Sequence, residues 1–365
     1  MIHRRNRLLA LVALAIFAAL GAARTIAQAP SLARTHYAVT VYSEPRRASA
    51  IVGVLAPRVE VALEARSADG AWVLGRSVDG AARGWIEGRF LDTGGADLPA
   101  LPVSAERIFD AAGAGAIDLN AFPLVPAITD RARAIYARGQ ALGLDPRAVS
   151  KIGDCISDNR HFLSPFGWGD YDLGSYTALQ PVIDHFEPAL AADSLAAYDG
   201  LVTAAALDPL FANPLACLPG ETPLRCEYRV RRSSFAIIMF GAQDLLFASP
   251  DEFDRNLRQI VHETIEAGVV PILSTFPGNL DRWGDALALN RIVVQIALDY
   301  DIPLMNMWRA LDGLPNHGLE SDGRHLSPPV THSGDLTGDN LRRGYPLRNL
   351  VTLQALDAVW RAVQG

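Results

Sequence analysis

Hydrophobic and polar positions divide the chain into three regimes. From residue 37 the side chains alternate, Ala38, Thr40 and Tyr42 against Val39 and Val41. Short β-like runs then recur at 51–55, 59–65, 72–76 and 84–86, punctuated by Asp69-Gly70 and Asp79-Gly80. Short strands with turn signals at this spacing predict a small all-β barrel. Residues 93–125 carry little apolar bulk and many Gly, Ala and Pro, which predicts a linker with a short helix near 105–109. From Pro126 the period lengthens: Ile128, Ala132, Ile135, Tyr136 and Leu142 recur at helical spacing before Gly143.

The last third alternates between two patterns. Phe235 to Phe240 is unbroken apolar sequence, as expected of a strand buried on both faces of a parallel sheet. Ser249-Pro250-Asp251-Glu252 carries an N-cap, a proline at the first helical position and the glutamate of a capping box. A helix follows through Phe253, Leu257, Ile260, Val261 and Ile265 to Gly268, and then a strand over 269–274. Further elements are predicted as a helix over 285–300, a strand over 302–307 and a closing helix over 349–363. Another helix is expected over 177–186, with a short strand over 194–198. Strand–helix alternation of this kind predicts right-handed crossovers on a parallel sheet.

Composition narrows the partners. The chain has 365 residues, half of them hydrophobic, and a formal net charge of −7. Mild acidity argues against a nucleic-acid partner, which requires a concentrated basic face. No metal-ligand spacing or cofactor motif is present, so no metal and no cofactor is expected. Three arginines and a histidine in residues 1–7, an apolar run over 8–23 and then small residues have the layout of a secretory signal peptide spanning residues 1–29. Cleavage after Ala23, Ala27 or Ala29 fits, and export to the cell envelope or the medium is the expectation. An uncleaved anchor is the alternative. No later run is long enough for a membrane span.

The candidate chemistry begins at Gly153-Asp154-Cys155. There the end of a strand meets a tight turn carrying a nucleophilic side chain, at the sheet edge where open α/β folds build their sites. Two later stretches complement it: Gly241-Ala242-Gln243-Asp244 and Asp322-Gly323-Arg324-His325. Asp and His three residues apart can form a pair in which the carboxylate fixes the imidazole that serves a nucleophile.

In this order and context the stretches resemble the SGNH (GDSL-type) hydrolase superfamily over residues 126–365. The resemblance implies an α/β three-layer sandwich with a parallel sheet, flavodoxin-like in outline. It implies Cys155 in the place of the family's nucleophilic serine, His325 as base and Asp322 as its orienter. It places Gly200, Gln243 and the residue-155 amide at an oxyanion or substrate-binding position, with Asp154 beside them. Residues 36–92, with Trp72 and Trp85, resemble the bacterial SH3-like domain, which implies docking on cell-wall material. The two tryptophans fit a binding groove or a barrel core equally.

Two departures fall on the site itself. Cys155 replaces serine and Gln243 replaces asparagine, one methylene longer. Ser157 is a second possible nucleophile, two residues on. Cys217 and Cys226 bracket a turn-rich loop and form the favoured disulfide, which an exported chain permits. The rival pairings join Cys155 to one of them. His185 and His262 read as structural, His317 as a loop residue near the Asp322–His325 turn. The aromatic stretch 162–176 reads as a glycan-contacting rim or a cover for the sheet edge. Two functions follow. One is an exported hydrolase acting on an acyl or acetyl ester of a cell-envelope or extracellular carbohydrate. The other is a catalytically weak or inactive protein of the same fold that binds a cell-wall or glycan ligand.

Overall fold

The computed structural model describes residues 31–47, 49, 51–80, 82–104, 108 and 117–364. The signal-peptide expectation for residues 1–29 lies outside them. So does most of the short helix expected near 105–109.

The N-terminal part is a seven-stranded antiparallel sheet. Its strands are β1 (Ser31–Thr35), β2 (Val39–Tyr42), β3 (Ile51–Leu55), β4 (Glu60–Arg66), β5 (Trp72–Ser77), β6 (Arg83–Glu87) and β7 (Leu91–Asp92). They lie in the order β3-β2-β6-β5-β4-β1-β7. The period-2 alternation places Val39, Val41, Val61, Leu63 and Val73 inward. Strand β1 was not anticipated; its run Ser31-Leu32-Ala33-Arg34-Thr35 alternates only weakly, and its pairing with β4 and β7 is a tertiary event. Trp72 and Trp85 are both buried, with Tyr42 edge-on to Trp72 at 5.4 Å between ring centroids. These tryptophans are core residues, not groove residues.

The C-terminal part is organised on a four-stranded parallel sheet of β8 (Asp145–Gly153), β9 (Ser233–Met239), β10 (Val270–Ser274) and β11 (Leu304–Met305), in the order β11-β10-β9-β8. Every residue of β9 and β10 is buried, as the unbroken apolar runs require. Helices Asp130–Ala141, Gln180–Leu190 and Gly344–Gln364 pack together against the sheet, while Pro223–Arg231, Pro250–Glu266 and Trp283–Tyr300 form a second group. The Ser249 capping box is formed as predicted. The register aligns Gly153 with Met239, Ile238 with Leu273, and Ser274 with Met305, so the strands end along one edge. Loops leaving that edge hold the candidate site.

Some expected elements differ. The strand over 194–198 is reduced to a single bridge between Ala197 and Gly153. The last strand spans two residues, because Asn306 turns to cap the next helix by accepting from the Arg309 amide. The C-terminal helix starts at Gly344, where Ser327 receives the first amide N–H groups, the Gly344 amide on its hydroxyl and the Tyr345 amide on its carbonyl. The described ends of the 93–125 segment are docked. The Arg66 amide donates to Pro102, and Leu119 is buried in the α/β core with its carbonyl accepting from Asn306. The two parts meet where the His262 ring lies 3.0 Å from the Asp79 carbonyl. Among the described residues no helix is long and apolar enough to cross a membrane.

Candidate active site

Strand β8 ends at Gly153, where the backbone leaves no room for a side chain: a Cβ there would sit 2.2 Å from the Met239 carbonyl. Glycine is therefore obligatory at this turn. Asp154 follows as N-cap of the short helix Cys155–Asp158, its side chain accepting from the Ile156 amide at 3.0 Å. The chain thus turns sharply and leaves Cys155 partly buried at the sheet edge.

A second loop follows β9. Gly241, at φ 127°, lies against Phe276, and a Cβ would approach that ring to 2.1 Å. This loop delivers Gln243, whose Nε2 lies 3.6 Å from the Cys155 sulfur. Asp244 is buried and accepts from the Thr203 amide and hydroxyl at 2.9 and 2.5 Å, tying this loop to the segment after Gly200. A third loop carries the Asp322–His325 turn. The Asp322 carboxylate accepts from the Arg324 and His325 amides at 2.9 and 3.1 Å and faces the His325 Nδ1 at 2.6 Å. The His325 Nε2 is 3.6 Å from the Cys155 sulfur. With Nδ1–H donating to the carboxylate, the Nε2 lone pair is the one that faces the thiol.

The electrostatics differ along this line. Against the upward push of its partial burial, the hydrogen bonds from His325 and from the two amides hold Asp322 down to about 2. Burial, then the neighbouring Asp154 carboxylate, push the Cys155 thiol up to about 11, against the pull of the Gln243 hydrogen bond. The site therefore holds a thiol, not a preformed thiolate.

The other expected site residues take varied positions. Asp154 is fully buried and lies behind Cys155 rather than at an oxyanion position; burial raises its carboxyl to about 7. Its short side chain is needed for the cap, which draws it under the turn. Gly200 occupies an exposed turn at φ 82°, beside Asp199, whose charge also raises the thiol. Among the described residues no hydrogen bond joins Gly200 to Cys155. Ser157 is buried and accepts from Arg348 at 3.1 Å, so it points away from the cleft. Cys217 and Cys226 form a disulfide and leave Cys155 free. His185 stacks on Trp360, and His317 lies over Trp283 with Asp312 at 3.3 Å. Phe162 and Phe166 belong to the core while Trp168 is exposed, so the stretch mostly covers.

Arg348 is the residue that sequence reasoning missed. It lies in the C-terminal helix, fully buried, and donates to the Ile156 carbonyl and to Ser157 directly beneath Cys155. An arginine followed by the largely apolar run 350–356 was its signal.

No family model and no curated protein matches the chain. Weakly similar chains are found among solved structures. A lipase/acylhydrolase from Enterococcus faecalis is 19% identical, over 59% of this chain and 96% of its own, with a TM-score of 0.39. A GDSL-like lipase from Bacteroides thetaiotaomicron is 15% identical over 62% of this chain and 98% of its own, at 0.37. A psychrotrophic esterase from Pseudoalteromonas is 16% identical over 60% and 100%, at 0.37. Similarity at this level carries no argument, so the functional reading rests on the geometry of Cys155, His325 and Asp322.

Proposed function

We propose that this chain is an ester hydrolase using Cys155 as nucleophile, His325 as general base and Asp322 as the group that orients it. The observation that carries the reading is the relay from carboxylate to imidazole to sulfur, 2.6 and 3.6 Å long. His325 takes the thiol proton as sulfur bonds to the ester carbonyl carbon. The alcohol leaves with that proton, and a thioester forms on Cys155. Water then attacks, giving its proton to His325; the acid departs and the sulfur is reprotonated. The Gln243 amide and the amide of residue 155 are the donors available to the oxyanion.

The substrate in this reading is an acyl or acetyl ester of a cell-envelope or extracellular carbohydrate. It is supported by the sequence resemblance of residues 36–92 to the bacterial SH3-like domain, which is an analogy. The disulfide is compatible with an exported chain.

A second reading is a glycan-binding protein with little turnover. Two observations favour it: the thiol is pushed up to about 11, and the Gln243 amide is directed at the sulfur itself. One experiment separates the two. The unreduced protein is assayed on p-nitrophenyl acetate and on an O-acetylated polysaccharide, with intact mass recorded during turnover. Hydrolysis that Cys155→Ala abolishes, together with an acyl adduct on Cys155, supports the enzyme. Polysaccharide binding with no adduct, and the same slow rate in the variant, establishes the binding protein.

A further inference from the structure

Behind the nucleophile lies a buried charged cluster that the relay does not use. The Arg348 guanidinium is fully buried, with its centre 3.5 Å from the centroid of the Phe162 ring. Its Nη1 donates to the Ile156 carbonyl and its Nη2 to Ser157 Oγ at 3.1 Å, so one planar fork grips two consecutive residues of the Cys155–Asp158 helix. Arg348 Nε, Asp154 Oδ2 and Tyr345 Oη are each buried with no hydrogen-bond partner among the described residues. A guanidinium in such a place is withdrawn from water, and among the described residues no carboxylate forms an ion pair with it. That is a costly arrangement to keep for packing alone.

We infer that Arg348 is a positioning residue of the nucleophile turn: its guanidinium fixes the backbone that aims Cys155 at His325, and it supplies the fixed positive charge against which the thiol ionises. This rests on reading Cys155 as the reacting thiol.

The surrounding groups define what that charge balances. Asp154 precedes the thiol on its own turn, and Asp199 faces it from the following loop. His325 faces it from the third loop, and Tyr345 from the C-terminal helix. Asp244 acts on Asp154 from the loop after β9, and Glu320 on Tyr345. Lys151, on β8, is the other cation coupled to Arg348, and its Nζ points toward the Leu190 carbonyl at 3.5 Å. The negative groups Asp154 and Asp199 thus oppose ionisation of Cys155. Arg348 is the buried cation under the same turn; burial opposes its charge, while Tyr345, Asp154 and Cys155 all favour it, and a guanidinium keeps its proton throughout this range.

The chain has three cysteines, two of them in the disulfide, so alkylation of the unreduced protein reads Cys155 alone. The experiment measures iodoacetamide rates from pH 7 to 11 on the full chain, with Arg348→Met and Arg348→Lys. Removing the charge is expected to slow alkylation about tenfold below the midpoint, equivalent to an upward shift of about one pH unit, while Arg348→Lys stays near the parent rate. Because Arg348→Met leaves the buried Asp154 carboxyl without the guanidinium, the comparison is repeated as Asp154→Asn against Asp154→Asn/Arg348→Met, where that carboxyl is absent from both proteins. Equal rates in both pairs would overturn the inference. So would an Arg348→Lys rate as low as that of Arg348→Met. None of these rates depends on ester turnover, so failure of the hydrolase reading leaves the test intact.

Discussion

Replacing Asp154 by Asn should change the pH dependence of stability more than stability itself. Asp154 is fully buried, and its carboxyl rises from 3.8 to about 7, chiefly through burial. Between those values the folded protein binds a proton that the unfolded chain has released. Stability therefore falls as pH rises, beginning near 4 and ending a little above 7. The gap is about three units, which corresponds to about 4 kcal/mol at full extent. For a folding unit of this size that is roughly 10 °C in Tm. Asparagine keeps an oxygen to accept from the Ile156 amide but has no proton to release. The Tm of Asp154→Asn should thus match the parent at pH 4 and exceed it progressively up to pH 8. Other buried acids with raised values, such as Glu227 and Asp254, contribute to both proteins and cancel in the difference. Thermal and urea unfolding at half-unit intervals are the assay. A Tm difference that stays constant from pH 4 to 8 would refute the assignment of a buried, late-ionising carboxyl under the nucleophile.

Further outcomes follow from the structure. Alkylation of Cys155 near pH 7 should run about 100-fold slower than that of an unperturbed thiol and keep rising toward pH 11; a plateau below pH 8 would show a preformed thiolate instead. Asp322→Asn should reduce ester turnover by roughly 10²–10⁴-fold by releasing the imidazole tautomer. Since Asp322 is held down to about 2, it should contribute no acid limb to the parent's pH–rate profile above pH 4. Replacing Cys217 and Cys226 together by Ser opens a loop of sequence separation 9 and should lower stability by roughly 2.5 kcal/mol, read as a fall in Tm with Cys155 alkylation unchanged.

Sequence alone determined the local pieces. Unbroken apolar runs specified the buried strands β9 and β10, and the Ser249–Glu252 signals specified a helix start. The Gly-Asp-Cys, Gly-Ala-Gln-Asp and Asp-Gly-Arg-His stretches marked the three loops that meet. These are readable because periodicity, caps and turns are set by neighbours in the chain. Tertiary structure decided what depends on distant neighbours. Asp154 looked like a site residue, yet its cap interaction and burial place it behind the nucleophile. Trp72 and Trp85 could not be assigned to groove or core until the strands that enclose them were paired. The segment 194–198 carries strand-like composition but finds one bridging partner, because the edge it meets ends at Gly153. Arg348 reaches Ile156 and Ser157 across 192 and 191 residues, a separation at which no local pattern carries information. The pairing of Cys155 with His325 across 170 residues belongs to the same class. Motifs named the partners, and only the alignment of strand ends along one sheet edge brought sulfur, imidazole and carboxylate into line.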